Sequence, residues 1–145
     1  MAEKEMKEVV RSLNKAIEKK DVETVVSLYA EKAILIAPEG TFEGGEEIRR
    51  YWMWQGESVL TVKSTETEMI VQGNKLTAEH IIAVTMKNGA KWQVPIACMY
   101  AFADGKIKLH KMSYDRLSVA KQAVTGWLAK RLVNSIVIRI EKGLH

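Results

Sequence analysis

VLTVKSTETEMIVQGNKLTAEHIIAVTMKNGAKWQVPIACMYAFADGKIKLHKMSYD, residues 59–115, alternates apolar and polar positions with a period of two. Three turn pairs interrupt the alternation at regular intervals: Gly73-Asn74, Asn88-Gly89 and Asp104-Gly105. Asn-Gly and Asp-Gly are strong hairpin signals because both central residues of a type I′ turn need a positive φ. The stretch therefore predicts a four-stranded antiparallel meander, with strands at 59–72, 75–87, 90–103 and 106–115.

The residues before the meander predict helices and a short hairpin. Apolar residues recur every three or four positions from Met6 to Ile17, which indicates an amphipathic helix, and Asp21 is placed to cap a second one. A short apolar strand at 33–36 and a return strand at 41–42 follow, and a further helix opens at Gly44-Gly45 and is expected to end at Gly56. Helices followed by a run of antiparallel strands predict an α+β fold.

The C-terminal extension at 117–145 accounts for the net charge of the chain. It holds five basic residues and one acidic residue, whereas residues 1–116 hold 17 of each, so the net charge of +4 arises in the extension. Its apolar stripe at i, i+4 spacing predicts a helix, although the alternation at 135–140 also fits a strand. The stripe consists of Val124, Leu128, Leu132, Ile136 and Ile140. We expect one α+β domain at 1–116 and a basic helical extension at 117–145 that packs on that domain or on a partner subunit.

The composition excludes several classes of protein. Apolar residues make up 47% and charged residues 28%, as in ordinary globular domains, and no apolar run reaches the roughly 20 residues of a membrane span. No signal segment is visible at the N-terminus, so we expect a cytoplasmic location without a membrane partner. The basic residues of the domain do not form a patch together with aromatic side chains that could stack on bases, which argues against a nucleic-acid partner. The single cysteine, Cys98, excludes a disulfide framework and a multi-cysteine metal site, and we expect neither a metal nor a cofactor.

Segments near both ends of the domain carry a family resemblance. The opening ones are DVETVVSLYA at 21–30, AILIAP at 33–38 and FEGGEEIRRY at 42–51. The closing ones are FADGKI at 102–107, then Tyr114-Asp115 and Gln122. Together they resemble SnoaL-like proteins of the nuclear transport factor 2-like superfamily. The resemblance spans roughly residues 5–122. It implies a cone-shaped, curved antiparallel sheet wrapped around N-terminal helices, with one deep pocket and commonly a homodimer.

None of the known sets of catalytic residues in that superfamily is complete in this sequence. A resemblance to ketosteroid isomerase would require a tyrosine and two aspartates at positions that here hold Leu13, Ala37 and Cys98. A limonene-epoxide-hydrolase site needs an arginine between two carboxylates, and residues 59–115 contain no arginine. The SnoaL cyclases use an acid/base aspartate near the end of the last strand, and Asp115 is the one residue that matches such a role.

Two-residue turns would fix which residues of the meander face each other. If Asn88-Gly89 is such a turn, Lys87 lies opposite Ala90, and the three turns together place Glu68, Glu79, Cys98 and Lys111 in one row on the inner face. Two facing carboxylates inside an apolar cone, with Lys111 as the nearby cation, predict a general acid/base site. The alternative is that these charged residues lean into water, or that a β-bulge turns Glu68 away from Glu79. Asp115 has its own alternative, as the cap of the following helix.

The inner face also predicts a ligand pocket. Its aromatic and apolar members are expected to bind the substrate, with Trp52 at the pocket mouth; they are Trp92, Ile96, Cys98 and Tyr100. We therefore expect a small apolar organic ligand and a cofactor-independent acid/base enzyme acting as an isomerase, cyclase, dehydratase or hydrolase. The alternative is a non-catalytic ligand-binding or protein-assembly module of the same fold.

The predicted outer face is too apolar to lie in water. It carries His80 and His110 among apolar neighbours, which we interpret as packed histidines rather than metal ligands. A second copy of the sheet is the simplest cover, which predicts a homodimer through this face. The C-terminal stripe is the alternative cover.

Overall fold

The computed structural model describes residues 1–124 and 126–142. Its helices are α1 (Glu3–Glu18), α2 (Val22–Ser27), α3 (Gly44–Glu57), α4 (Arg116–Ala123) and α5 (Trp127–Lys142). Its strands are β1 (Tyr29–Ala37), β2 (Gly40–Glu43), β3 (Val59–Gln72), β4 (Lys75–Met86), β5 (Lys91–Ala103) and β6 (Lys106–Ser113). The four strands of the predicted meander are confirmed, with ends that differ by two residues at most.

The six strands form one curved, unclosed sheet in the order β2-β1-β6-β5-β4-β3. Neighbouring strands are antiparallel, except that β1 runs parallel to β6. Helices α1, α2 and α3 bury one face each in the same core as the sheet, through residues such as Leu13, Val25 and Ile48. The α+β fold with helices against a curved sheet is therefore confirmed.

Local signals explain where most of the elements begin. The carboxylate of Asp21 accepts a hydrogen bond from the Thr24 amide at 3.2 Å and caps α2, as its position predicts. Helix α3 continues to Glu57, so the expected end at Gly56 is wrong: one glycine costs a helix only about 1 kcal/mol and does not stop it.

The Asn88-Gly89 turn is one residue longer than a two-residue hairpin. Gly89 has a φ of +87°, whereas Asn88 does not have a positive φ, so the type I′ geometry is not formed. The amide of Met86 donates to the Ala90 carbonyl at 2.7 Å, which leaves a loop of three residues with glycine in the left-handed region. The predicted pairing of Lys87 with Ala90 is therefore wrong by one residue, and every side chain of β4 changes face relative to β5.

A second offset separates β5 from β6. Asp104 and Gly105 both have a positive φ, and Ala103 lies opposite Lys106, as a two-residue turn predicts. A bulge beyond Ala101 then shifts the pairing by one, so that Lys111 lies opposite Met99 and not opposite Cys98. In β3 a similar shift lies between Glu66 and Glu68, and Glu68 still faces Glu79 as predicted.

These two offsets change the composition of both sheet faces. The concave face combines the even-numbered residues of β4 with those of β5, which places His80 and His110 in the interior, each with 2% exposure or less. The convex face keeps Ala97 and Met99 beside threonine, lysine and glutamate side chains. The uniformly apolar outer face that motivated the homodimer was therefore a mixture of both faces, and the homodimer stays a prediction.

The C-terminal residues form two helices. The carboxylate of Asp115 accepts a hydrogen bond from the Ser118 amide at 3.0 Å and caps α4, which packs against β5. Gln122 stabilises this contact because its side chain forms hydrogen bonds with the backbone amide and carbonyl of Gln93, both at 2.9 Å. Residues 135–140 are helical, so the strand alternative is wrong. None of the helices in the described part of the chain is both long and apolar enough to cross a membrane.

Candidate functional site

A cavity of about 430 Å³ lies between the concave face of the sheet and the three N-terminal helices. All five predicted substrate-binding residues line it: Trp52 from α3, and Trp92, Ile96, Cys98 and Tyr100 from β5. Much of the remaining wall is apolar, including Val25, Val62, Ile82, Val84, Val94 and Met112. The five side chains thus share the wall of one cavity, and the binding of a substrate there stays a prediction.

Several buried polar atoms at this cavity have no hydrogen-bond partner among the described residues. They are both ring nitrogens of His80, Nε2 of His110, Nε1 of Trp52 and Oγ of Ser64. All four residues line the cavity. A buried polar atom without a partner costs about 1–3 kcal/mol, so these atoms are suited to meet the polar groups of a bound molecule.

His110 is held in a fixed orientation. Its Nδ1 is hydrogen-bonded to the hydroxyl of Tyr29 at 2.7 Å, and its ring stacks on Tyr100 with centroids 4.3 Å apart. Burial and, to a smaller extent, the nearby His80 together lower the pKa of His110 to about 3, because both disfavour a positive charge on its ring. His110 is therefore a neutral imidazole at physiological pH, and its buried Nε2 has no partner among the described residues.

His80 projects from β4 and has a different electrostatic surrounding. Burial lowers the pKa of its imidazole, and the carboxylate of Glu66, its partner residue on β3, acts in the opposite direction. Glu66 is itself held by Arg11 through two hydrogen bonds of 2.9 Å, which lower the pKa of the Glu66 carboxyl. His80 is thus neutral at rest but lies near a fixed negative charge that favours its protonated form.

Two tyrosines and a glutamine in the cavity wall form a hydrogen-bonded cluster around the carboxylate of Glu39. Tyr114 and Tyr51 both donate hydrogen bonds to the carboxylate of Glu39, the latter at 3.2 Å. Gln55 donates to the Tyr51 hydroxyl at 2.7 Å. Burial, together with the Glu39 charge, raises the pKa of both tyrosines, so they remain protonated donors. Tyr51, Gln55 and Tyr114 line the cavity, and no pattern in the sequence predicted this cluster as a site.

Cys98 is part of the apolar wall. Burial raises the pKa of its thiol to about 12, and a neighbouring hydrogen bond from Tyr100 opposes that rise only in part. Since the thiolate is the nucleophilic form, Cys98 behaves here as a small apolar residue.

The predicted acid/base residues do not line this cavity. Glu68, Glu79 and Lys111 lie on the convex face, where they line a separate, shallower groove of about 360 Å³ with Thr77 and Ser113. Their placement on the inner face was wrong because the three-residue loop moves β4, and the bulge moves β6, by one position each. Asp115 has the alternative role of helix cap described above. A catalytic role for these four residues stays a prediction.

The sequence pattern assigned both histidines to an interface, but it also contained a signal that they belong to a buried face. His80 alternates with Ala78 and Ile82, and His110 with Met112, as residues of one buried face do. A three-residue loop at Asn88-Gly89 places His80 on the concave face, and His110 reaches the same face only through the bulge in β6. Within the described residues, no group of three metal-ligating side chains comes together.

Comparisons with solved structures agree with the geometry of the fold. A protein of unknown function from Burkholderia pseudomallei, described as NTF2-like, has a TM-score of 0.77 at 16% identity, over 86% of this chain and 100% of that one. A protein with a ketosteroid isomerase-like fold from Catenulispora acidiphila, crystallised with trimethylamine, has a TM-score of 0.74 at 22% identity, over 80% and 92%. An epoxide hydrolase from Mycobacterium tuberculosis, similar to limonene-epoxide hydrolase, has a TM-score of 0.72 at 16% identity, over 83% and 90%.

At these identities the solved structures establish the fold alone. No curated protein matches the chain. The profile of the SnoaL-like domain matches residues 9–110, which span most of α1, all of α2 and α3, and the sheet except the end of β6. The chain therefore belongs to the family of SnoaL-like domains.

Proposed function

We propose that this protein binds a small, uncharged, largely apolar organic molecule in the cavity and transfers a proton on it, with His80 as the acid/base group. The single observation that carries the proposal is the pair of unpartnered ring nitrogens of His80, buried in the wall of an apolar cavity. A neutral imidazole in such a position can accept a proton or donate a hydrogen bond.

The size and lining of the cavity support this ligand class. A volume of about 430 Å³ is typical of pockets for small organic ligands, which are mostly apolar with a few polar groups that fix orientation. The polar atoms on its buried wall belong to neutral side chains: the two histidines, Trp52 and Ser64. The charged lining residues are exposed to solvent; they are Glu18, Lys20, Glu57 and Lys87. A charged ligand at the buried wall would lose its hydration without gaining an ion pair there, which is costly.

The proposed chemistry is proton transfer next to a carbonyl group. A ring nitrogen of His80 would take a proton from the adjacent carbon, and the C–H bonding pair would move into the enolate. The N–H of Trp52 is available to donate to the enolate oxygen. Glu66 favours the resulting imidazolium, which then returns its proton to carbon, so that no net charge is gained or lost.

The alternative function is ligand binding without catalysis, and the state of His110 favours it. With a pKa of about 3, this histidine cannot take up a proton at neutral pH and serves only as a hydrogen-bonding group. If His80 were used in the same way, the cavity would recognise a ligand and leave it unchanged.

Hydrogen–deuterium exchange separates the two functions. Uncharged cyclic ketones would first be screened for binding through the fluorescence of Trp52 and Trp92, which line the cavity. Exchange at the carbon next to the carbonyl in D₂O is then measured by NMR. We expect wild-type protein to accelerate exchange and His80→Gln to lower the rate at least about 100-fold while binding persists.

Glu79→Gln on the convex face is the matched control and is expected to leave exchange unchanged. Loss of exchange in Glu79→Gln with full activity in His80→Gln would overturn the assignment of His80. Tight binding without exchange in the wild type would support the binding alternative.

A further inference from the structure

Helix α5 presents a broad apolar face that nothing in the described chain covers. Successive residues rotate by about 100° around a helix, which places seven apolar residues of α5 on one half of its circumference. They are Leu128, Ala129, Leu132, Val133, Ile136, Val137 and Ile140. Leu128 is 72% exposed, Leu132 64% and Ile140 57%, and α5 makes substantial contact only with α4.

Basic side chains border this face on both sides. Arg139 lies between Leu128 and Leu132 near one edge of the face, and Lys130 lies at the opposite edge next to Val137. Arg131 and Lys142 lie on the polar half, where Glu141 is the only acidic residue of α5. The helix therefore combines an apolar half with a net charge of +3.

We propose that α5 is a docking helix for a membrane surface that contains acidic lipids, with its axis in the plane of the interface. A basic amphipathic helix inserts its apolar face between lipid headgroups while its flanking lysine and arginine side chains reach the phosphates. The 16 residues of α5 measure about 24 Å, which is too short to cross a hydrocarbon core of about 30 Å. This inference departs from the expectation that the chain has no membrane partner, and it is independent of the function proposed for the cavity.

The features of α5 favour a lipid surface over a second copy of the helix. Sixteen residues make little more than two heptads, and the apolar face is wider than the narrow seam of a coiled coil. The net charge of each helix would also repel its copy. Trp127 and Ile138 lie on the polar half, where the Arg131 guanidinium lies 5.5 Å from the Trp127 ring centre.

The test is co-sedimentation of the full chain with vesicles. We compare phosphatidylcholine vesicles with vesicles in which about a third of the lipid is phosphatidylserine, at about 50 mM and about 500 mM salt. We expect at least about tenfold tighter binding to the acidic vesicles at low salt, and loss of that preference at high salt. Equal binding to both vesicles, or no binding to either, would overturn the proposal.

Matched double variants test which face of α5 is used. Leu132→Gln with Ile136→Gln removes two apolar side chains without changing the charge, and we expect binding to fall at least about tenfold. Asn134→Gln with Ser135→Gln alters the polar half and is expected to change binding less than about twofold. Both variants should keep the wild-type melting temperature, because α5 contributes no buried residue to the core.

A measurement without lipid distinguishes self-association. If sedimentation shows a dimer that the Leu132→Gln, Ile136→Gln variant dissociates, and vesicles do not bind, the apolar face is an interface between copies and the membrane proposal is wrong. Retention of vesicle binding by that variant would also contradict the proposal.

Discussion

The buried imidazole of His110 is expected to destabilise the protein as the pH falls below neutral. Its pKa is about 3 in the folded protein, whereas an unfolded chain has a histidine pKa near 6.5. Between these two values the unfolded state binds a proton that the folded state does not, so the free energy of unfolding falls as the pH falls. The contribution is lost from about pH 6.5 downwards and stops falling near pH 3.

The magnitude follows from the size of the shift. Each pH unit inside this window costs about 1.4 kcal/mol for one fully linked proton, so acidification from about pH 6.5 to about pH 4.5 costs on the order of 3 kcal/mol. This is a large fraction of the 5–15 kcal/mol that is typical of a folded domain. The pKa of His80 is also lowered by burial, so His80 contributes in the same direction.

Urea unfolding at a series of pH values measures this contribution. The test compares the pH dependence of wild-type protein with that of His110→Gln, because glutamine does not titrate. The variant is expected to be less stable at neutral pH but to lose less stability on acidification, by on the order of 3 kcal/mol over the two units. Asp21 and Glu66 have lowered pKa values and add acid sensitivity of their own, and this cancels because both proteins contain them.

Ser113→Ala, an exposed change on the same strand, is the control and should retain the wild-type pH profile. The reasoning would be refuted if His110→Gln and wild type lost the same free energy between about pH 6.5 and about pH 4.5. That result would mean that His110 titrates in the folded protein much as it does in the unfolded chain.

Three further predictions concern the fold itself and are checked by urea or thermal unfolding. Gly105 has a φ of +78° in its turn, whereas Gly56 is helical with open space around it. Gly105→Ala should therefore lower the free energy of unfolding by about 1 kcal/mol or more, and Gly56→Ala should raise it by up to about 1 kcal/mol. The reverse order would contradict the turn geometry. Leu13→Ala removes a fully buried side chain and should cost about 2–5 kcal/mol, against less than about 1 kcal/mol for the exposed Leu60→Ala; equal effects would argue against the packing of α1. Asp115→Ala removes the cap of α4 and should cost about 1 kcal/mol, much of which Asp115→Asn should retain; equal losses in both variants would argue against a capping role.

Local signals in the sequence predicted the elements of the fold because short-range physics decides them. The period of two across residues 59–115 and the turn pairs gave the strands of the meander, and the spacing from Met6 to Ile17 gave α1. Asp21 was recognised as a cap because a carboxylate before a helix satisfies free amides in its first turn. The five predicted pocket residues share the cavity wall because all lie on β5 or α3, whose internal periodicity does not depend on any neighbour.

The composition of the site depended on contacts between strands, which sequence periodicity does not fix. One additional residue in the loop after Met86 and one bulge near Ala101 decide that His80 and His110 face the cavity, and that Glu79 and Lys111 face outward. Side chains alternate strictly along a strand, so an offset of one residue exchanges the two faces completely while each strand still has the same pattern. The sequence by itself therefore determined the elements and the family resemblance, whereas only the tertiary structure decided which titratable groups lose their contact with water, because strand register is set by the packing of the whole sheet.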